Sequence, residues 1–115
     1  MKRIRINRSR WMRGQSPEKS SMLWSSRLQK GCCLGHAIHQ ISKCPWDSLN
    51  NLTSPRHYFD KESFLTERHG VGCSDNLFAD DAMAINDDTS LSETAREVAL
   101  TKLFKAHGYD LEFYG

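Results

Sequence analysis

Residues 90–114 read SLSETAREVALTKLFKAHGYDLEFY, and two periodicities meet inside them. Ser90 and Glu93 have the Ser-x-x-Glu spacing of a capping box, in which two side chains satisfy backbone N–H groups at a helix start. Ala95, Ala99, Leu103 and Ala106 then recur at helical spacing, and Val98, Leu100 and Phe104 widen the apolar face. The pattern predicts a central helix running to His107. Gly108 stops it, because glycine most readily takes the left-handed conformation that follows a last turn. Asp110-Leu111-Glu112-Phe113-Tyr114 next alternates polar and apolar, the period of a short strand. Arg3-Ile4-Arg5-Ile6 alternates too, so the two ends of the chain are expected to pair, with positive side chains opposite negative ones. A helix delivered into a strand sets the class: α+β, a mostly helical small single domain over residues 1–115 with a minimal two-stranded sheet. Residues 1–6 are then an edge strand or a basic arm.

The remaining elements follow outward from that unit. Leu34, Ala37, Ile38 and Ile41 sit at i, i+3, i+4 and i+7, one apolar stripe of a helix that Gly31 precedes and Pro45 ends. His36 and His39 fall on its other side. A turn of helix is expected at Trp46-Asp47-Ser48-Leu49. Nearer the start, Asn7 is a candidate N-cap for a short helix carrying Trp11 and Met12. Ser16 and Pro17 are read as opening a second helix, in which Leu23, Trp24 and Leu28 fall at helical spacing. Phe78, Ala82 and Ile85 make a further helical stripe with Asp80 and Asp81 outward, and Asn86-Asp87-Asp88 reads as a turn. Residues 50–75, punctuated by Asn50-Asn51, Ser54-Pro55, Gly70 and Gly72, form a long irregular connection.

A chain of 115 residues with 38% hydrophobic and 26% charged side chains has the composition of one ordinary globular domain. No window approaches the roughly 20 apolar residues of a membrane span. The first residues carry positive charge without the apolar middle of a signal peptide, so a reducing compartment is expected. Cys32, Cys33, Cys44 and Cys73 are accordingly read as free thiols. Charge is strongly polarised. Residues 1–56 carry eleven Lys or Arg against two acids, a net of +9, and residues 57–115 carry five against twelve, a net of −7. That division fits a basic face for an acidic partner, or internal pairing of the halves.

Four constellations have chemistry. Arg3, Arg5, Arg8, Arg10 and Arg13, with Lys2 and Trp11, would suit phosphate contacts and base stacking. The plainer alternative is a basic edge paired with the acidic half, with Trp11 as a core anchor. Cys32, Cys33, His36 and His39 are spaced by three and four residues, so their side chains would converge on a helix. Zinc would take four ligands, with Cys44, His57, His69 or Cys73 as distant candidates. The expectation is no cofactor, with the cysteines as small buried residues at a helix start and the histidines facing water. The same cluster could join a nucleophile to a base, since a cysteine at a helix N-terminus has a depressed pKa and His36 is near. Asp80, Asp81, Asp87 and Asp88 invite a metal-dependent nuclease, but lack the alternating acids and central glycine of a calcium loop. Solvated or capping acids are the expected alternative.

Three islands also occur together: Ile6-Asn7-Arg8-Ser9-Arg10-Trp11, Cys32-Cys33-Leu34-Gly35 and Asn86-Asp87 before the last helix. In this the chain resembles a widespread group of small proteins encoded by tailed bacteriophages and prophages, over roughly residues 4 to 107. Members usually follow Cys-Cys-Leu-Gly with an aliphatic residue and often a third Cys, where this chain has His36 and His39. The resemblance implies a phage or prophage origin and the cytoplasm of a bacterial host. It implies no catalytic residues. The function expected is non-enzymatic: an accessory protein that binds a host macromolecule, foremost a host protein, as inhibitor or adaptor. Nucleic-acid binding through the basic N-terminal segment is the alternative, and a small zinc- or thiol-dependent enzyme the third. No membrane association is expected.

Overall fold

The computed structural model describes residues 2–14, 21–52 and 77–115. Within these, the order of elements is strand β1 (Lys2–Asn7), a 3-10 turn (Arg8–Arg10), helix α1 (Cys33–Ile41), a single turn α2 (Trp46–Leu49), helix α3 (Leu77–Asp87), helix α4 (Glu93–Ala106) and strand β2 (Tyr109–Tyr114). The class is α+β. The expected helix start at Ser16-Pro17 and nearly all of the connection at 50–75 lie outside the described residues.

The two end strands form one parallel pair, with Arg3 opposite Asp110, Ile4 opposite Leu111, Arg5 opposite Glu112 and Ile6 opposite Phe113. Alternation explains which face goes inward. Ile4, Ile6 and Leu111 are buried, while Arg3 and Arg5 stand on the solvent side. Parallel strands require a long crossover, and here the whole body of the protein is that crossover. Helix α1 packs on β1, α4 packs on β2, and α3 contacts both helices. Gly108, at φ +90, makes the reversal from α4 into β2.

The core is continuous from the sheet to Leu23, Trp24, Leu34, Ile38, Leu49, Phe78, Leu100 and Phe104. At its centre lies a polar residue. Asn86 is 0% exposed. Its Oδ1 accepts from Trp11 Nε1 at 2.8 Å and from the Cys33 backbone N–H at 3.1 Å, and its Nδ2 donates to the Met12 carbonyl at 3.0 Å. Asn86 therefore belongs to the end of α3 and ties three segments together; it is not part of the turn expected from Asn86-Asp87-Asp88. Gly35 is required nearby, because a Cβ there would run into the Leu23 carbonyl.

Several boundaries differ from the sequence expectation. Asn7 does cap, accepting from the Ser9 N–H at 3.0 Å, but only a 3-10 turn, and Trp11 follows it in extended backbone. The cap of α4 is Ser92, whose Oγ accepts from the Ala95 N–H at 3.1 Å. Ser90 instead completes a turn on the Asp88 carboxylate. The buried stripe of α4 is Arg96, Leu100 and Phe104, while Ala95 and Ala106 are exposed and Val98 is 53% exposed. Residues 21–32 are not helical: Ser25 bridges Lys30, Trp24 bridges Asn50, and Leu28 is exposed.

Candidate functional site

The five N-terminal arginines show what the charge polarisation does. Arg3 Nε lies 3.1 Å from Asp110, and Arg5 Nε 3.1 Å from Glu112, across the sheet register. Arg8 makes a two-pronged contact with Glu97, at 2.7 and 2.9 Å. Arg13 holds Glu93 and also donates to the carbonyls of Arg8 and Trp11. The Arg13 hydrogen bond holds Glu93 below its ordinary pKa, and the Glu97 bond raises that of Arg8. Internal pairing of the two halves is thus what the fold realises. Trp11, at 1% exposure, is a core anchor hydrogen-bonded to Asn86, with Phe113 at 4.5 Å, and no base can stack on it.

Arg10 is different. It is exposed and makes no ion pair among the described residues. Its guanidinium lies over the Trp24 ring, 5.1 Å from the centroid. Trp24 stacks on Trp46 at 4.0 Å, and Trp46 stacks on His39 at 4.0 Å. Arg10, Trp46, His39, Arg5 and Tyr114 line a cleft of about 250 Å³, with Gln40 and the buried His36 contributing to its wall.

Local structure explains each position. The 3-10 turn after β1 sets Arg10 beside the strand end, and its backbone carbonyl accepts from the Gly31 N–H at 3.0 Å. Gln40, in the last turn of α1, accepts from the Arg5 N–H and donates to the Arg5 carbonyl, at 2.8 and 2.6 Å. Its amide thereby stands in for a neighbouring strand. His39 must carry its proton on Nδ1, since that atom faces the Cys44 carbonyl at 2.7 Å and a carbonyl only accepts.

Cys32, Cys33 and His36, by contrast, lie away from exchange with solvent. Cys32 and Cys33 are fully buried. Burial pushes the Cys32 thiol up to about 12, overriding the helix-start N–H groups, and pushes Cys33 well above its ordinary value. Cys32 and Cys33 are thus the small buried residues expected at this helix start, and the alternative of an activated thiol is opposed because desolvation of the thiolate outweighs the favourable N–H groups. His36 does not face water either. It is 4% exposed and its Nε2 donates to the Arg10 carbonyl at 2.8 Å. Burial lowers its pKa to about 4, so it is neutral near pH 7. Among the described residues, no group of three or more His, Cys, Asp or Glu is placed to hold a metal ion. Asp87 accepts from the Ser21 N–H of a distant segment and Asp88 from Ser90 in a turn, so both acids have structural partners, while Asp80 and Asp81 are exposed. No helix among the described residues is long and apolar enough to cross a membrane.

A larger depression of about 370 Å³ is lined by Trp11, Met12, Arg13, Leu28, Lys30 and Glu93. Its Arg13 and Glu93 are bound to each other, which leaves Lys30 as its open charge among the described residues, whereas the smaller cleft joins an open guanidinium to a stack of aromatic rings. Sequence reasoning placed Arg5 and Arg10 in a binding group but missed Trp24, Trp46, Gln40 and Tyr114. A tryptophan directly after Pro45, in a single polar turn too short to bury it fully, was the available signal. No protein-family model matches the chain, and neither a curated protein nor a solved structure is detectably similar to it.

Proposed function

We propose that the chain is a non-enzymatic phage or prophage accessory protein that binds a host protein in the bacterial cytoplasm, using the face around the Arg10 cleft. One observation carries the reading: Arg10 alone of the five arginines has no acidic partner among the described residues, and it is held on a stack of aromatic rings. Arg, Trp and Tyr are the residues that dominate protein interfaces energetically. The cleft, at about 250 Å³, is below the ~300–1,000 Å³ usual for small-molecule sites and suits an anchoring side chain. Binding of nucleic acid through the whole basic segment would have to break the Arg3, Arg5, Arg8 and Arg13 pairs. Thiol catalysis would need a thiolate that burial opposes at both Cys32 and Cys33.

The test is affinity capture from bacterial lysate with wild-type protein and Arg10→Ala, each with and without nuclease. The expected result is one host protein retained by the wild type in both conditions and lost with Arg10→Ala. Recovery of nucleic acid, or material that vanishes with nuclease, would transfer the function to the alternative reading.

A further inference from the structure

We propose that the Arg10 cleft is a receptor for a carboxylate side chain, so that the bound partner presents an Asp or Glu on an acidic segment to it. The inference rests on this face being the binding face and adds the chemistry of what enters. Arg10 supplies an uncompensated guanidinium, whose planar fork matches a carboxylate with two parallel N–H···O bonds. The Trp24 ring beneath it limits the orientations the fork can take, which reduces the entropy lost on binding. Beside it stands the Arg5 guanidinium, 4.5 Å from the Tyr114 centroid and already shared with Glu112. His39 has one ring nitrogen fixed on the Cys44 carbonyl, and Nε2 has no protein partner among the described residues. The open capacity is thus about one negative charge, with aromatic walls for the methylene groups that carry it.

The surroundings select against a phosphate backbone. Single-strand binders track several successive phosphates along a positive groove. Here Arg3, Arg5, Arg8 and Arg13 are already paired with acids, so a phosphate chain leaving the cleft would meet no further open guanidinium among them. An acidic side chain on a folded partner enters singly.

The probe is a blocked hexaglutamate peptide added to the full ¹⁵N-labelled chain, with hexaglutamine and a short oligothymidylate as comparisons. The expected result is saturable shifts of the Arg10 Nε–H and Trp46 Nε1–H signals with hexaglutamate and none with hexaglutamine. Arg10→Gln should weaken binding about tenfold or more, as loss of a charge-assisted hydrogen bond predicts, while Arg3→Gln leaves it within about twofold. Absence of saturable shifts, equal affinity of Arg10→Gln, or tighter occupation of the same signals by oligothymidylate would each overturn the carboxylate assignment. The lysate capture separates the two levels. A host protein held through Arg10 that hexaglutamate cannot displace leaves the binding face standing and removes the carboxylate. Hexaglutamate binding with no Arg10-dependent host protein retains the receptor chemistry and removes the host-protein reading.

Discussion

Asn86 concentrates more of the fold than any apolar side chain of its size, because its amide satisfies three groups that have no other route to water. Asn86→Ala strands the Trp11 indole N–H, the Cys33 N–H and the Met12 carbonyl in the core. A buried unsatisfied group costs about 1–3 kcal/mol. The expected loss is roughly 3–5 kcal/mol in urea unfolding, a large part of the ~5–15 kcal/mol that holds small domains. Asp80→Ala, on the exposed side of α3, should change stability by less than about 0.5 kcal/mol. His36 sets the acid response. Its folded pKa of about 4 lies below the ordinary 6.5, so the unfolded chain binds more protons between those values. Stability is therefore full above about pH 6.5 and falls as pH drops toward 4. Guanidinium melts across that window should show the loss in wild type and a flatter profile in His36→Gln, which cannot titrate. None of this was legible in the sequence. A lone asparagine before two aspartates resembles a turn, and a histidine opposite an apolar stripe resembles a surface residue. The first six residues of α1, from Cys33 to Ile38, are all buried, so the helix has no outer face there for His36 to occupy.

Among elements, the strand pair and the helices over 33–41, 46–49, 77–87 and 93–106 were readable, because each carries its own period or stop signal. Residues 21–32 were not, since their conformation comes from backbone bonds to distant partners, such as the Leu23 N–H to the Leu52 carbonyl and the Cys32 N–H to the Met22 carbonyl. The start of α4 was misplaced by two residues because both Ser90 and Ser92 stand before Glu93. Ser92→Ala should cost about 1 kcal/mol of stability and Ser90→Ala distinctly less; equal effects in thermal melts would restore the Ser90 cap. The phase of α4 slipped by one residue, because Ala95, Ala99, Leu103 and Ala106 keep a helical period of their own beside the stripe that is actually buried. Arg96 is buried, donating to the Asp88 and Leu91 carbonyls and to Glu93, and it fastens the turn between α3 and α4. Gln40 protects another weak point. By occupying the N–H and carbonyl of Arg5, it blunts the open edge of β1 where a foreign strand would add.

At the scale of the molecule, the +9 and −7 halves are mutual partners first and a binding surface second. Most surface pairs of this kind contribute little to stability. Their value is alignment: the register that sets Arg3 against Asp110 also sets Ile4 against Leu111 inside. The three sequence islands converge as well. Trp11, Cys33 and Asn86 share one amide, and Gly35 lets Leu23 approach α1. They mark a shared packing node. The candidate site adds to Arg10, from the first island, Trp24, Trp46 and Tyr114 from outside all three, scattered residues with no common motif. A chain ended after Gly108 should lose its single cooperative unfolding transition, since Ile4, Ile6 and α4 all lose their partner. Retention of a sharp thermal transition by that truncation would show that the helices are sufficient alone.

The pairing of β1 with β2 has a consequence for synthesis. Arg3 and its partner Asp110 are 107 residues apart, so at about 5–20 residues per second the ribosome makes the second strand some 5–20 s after the first. Through that interval Ile4 and Ile6 are present without their cover, on a strand whose one native neighbour does not yet exist. Gln40 arrives far sooner, in about a third of the time, and can occupy the Arg5 backbone as soon as α1 forms. The side chain that guards the finished edge is thus also the first partner the strand meets on its way to being folded.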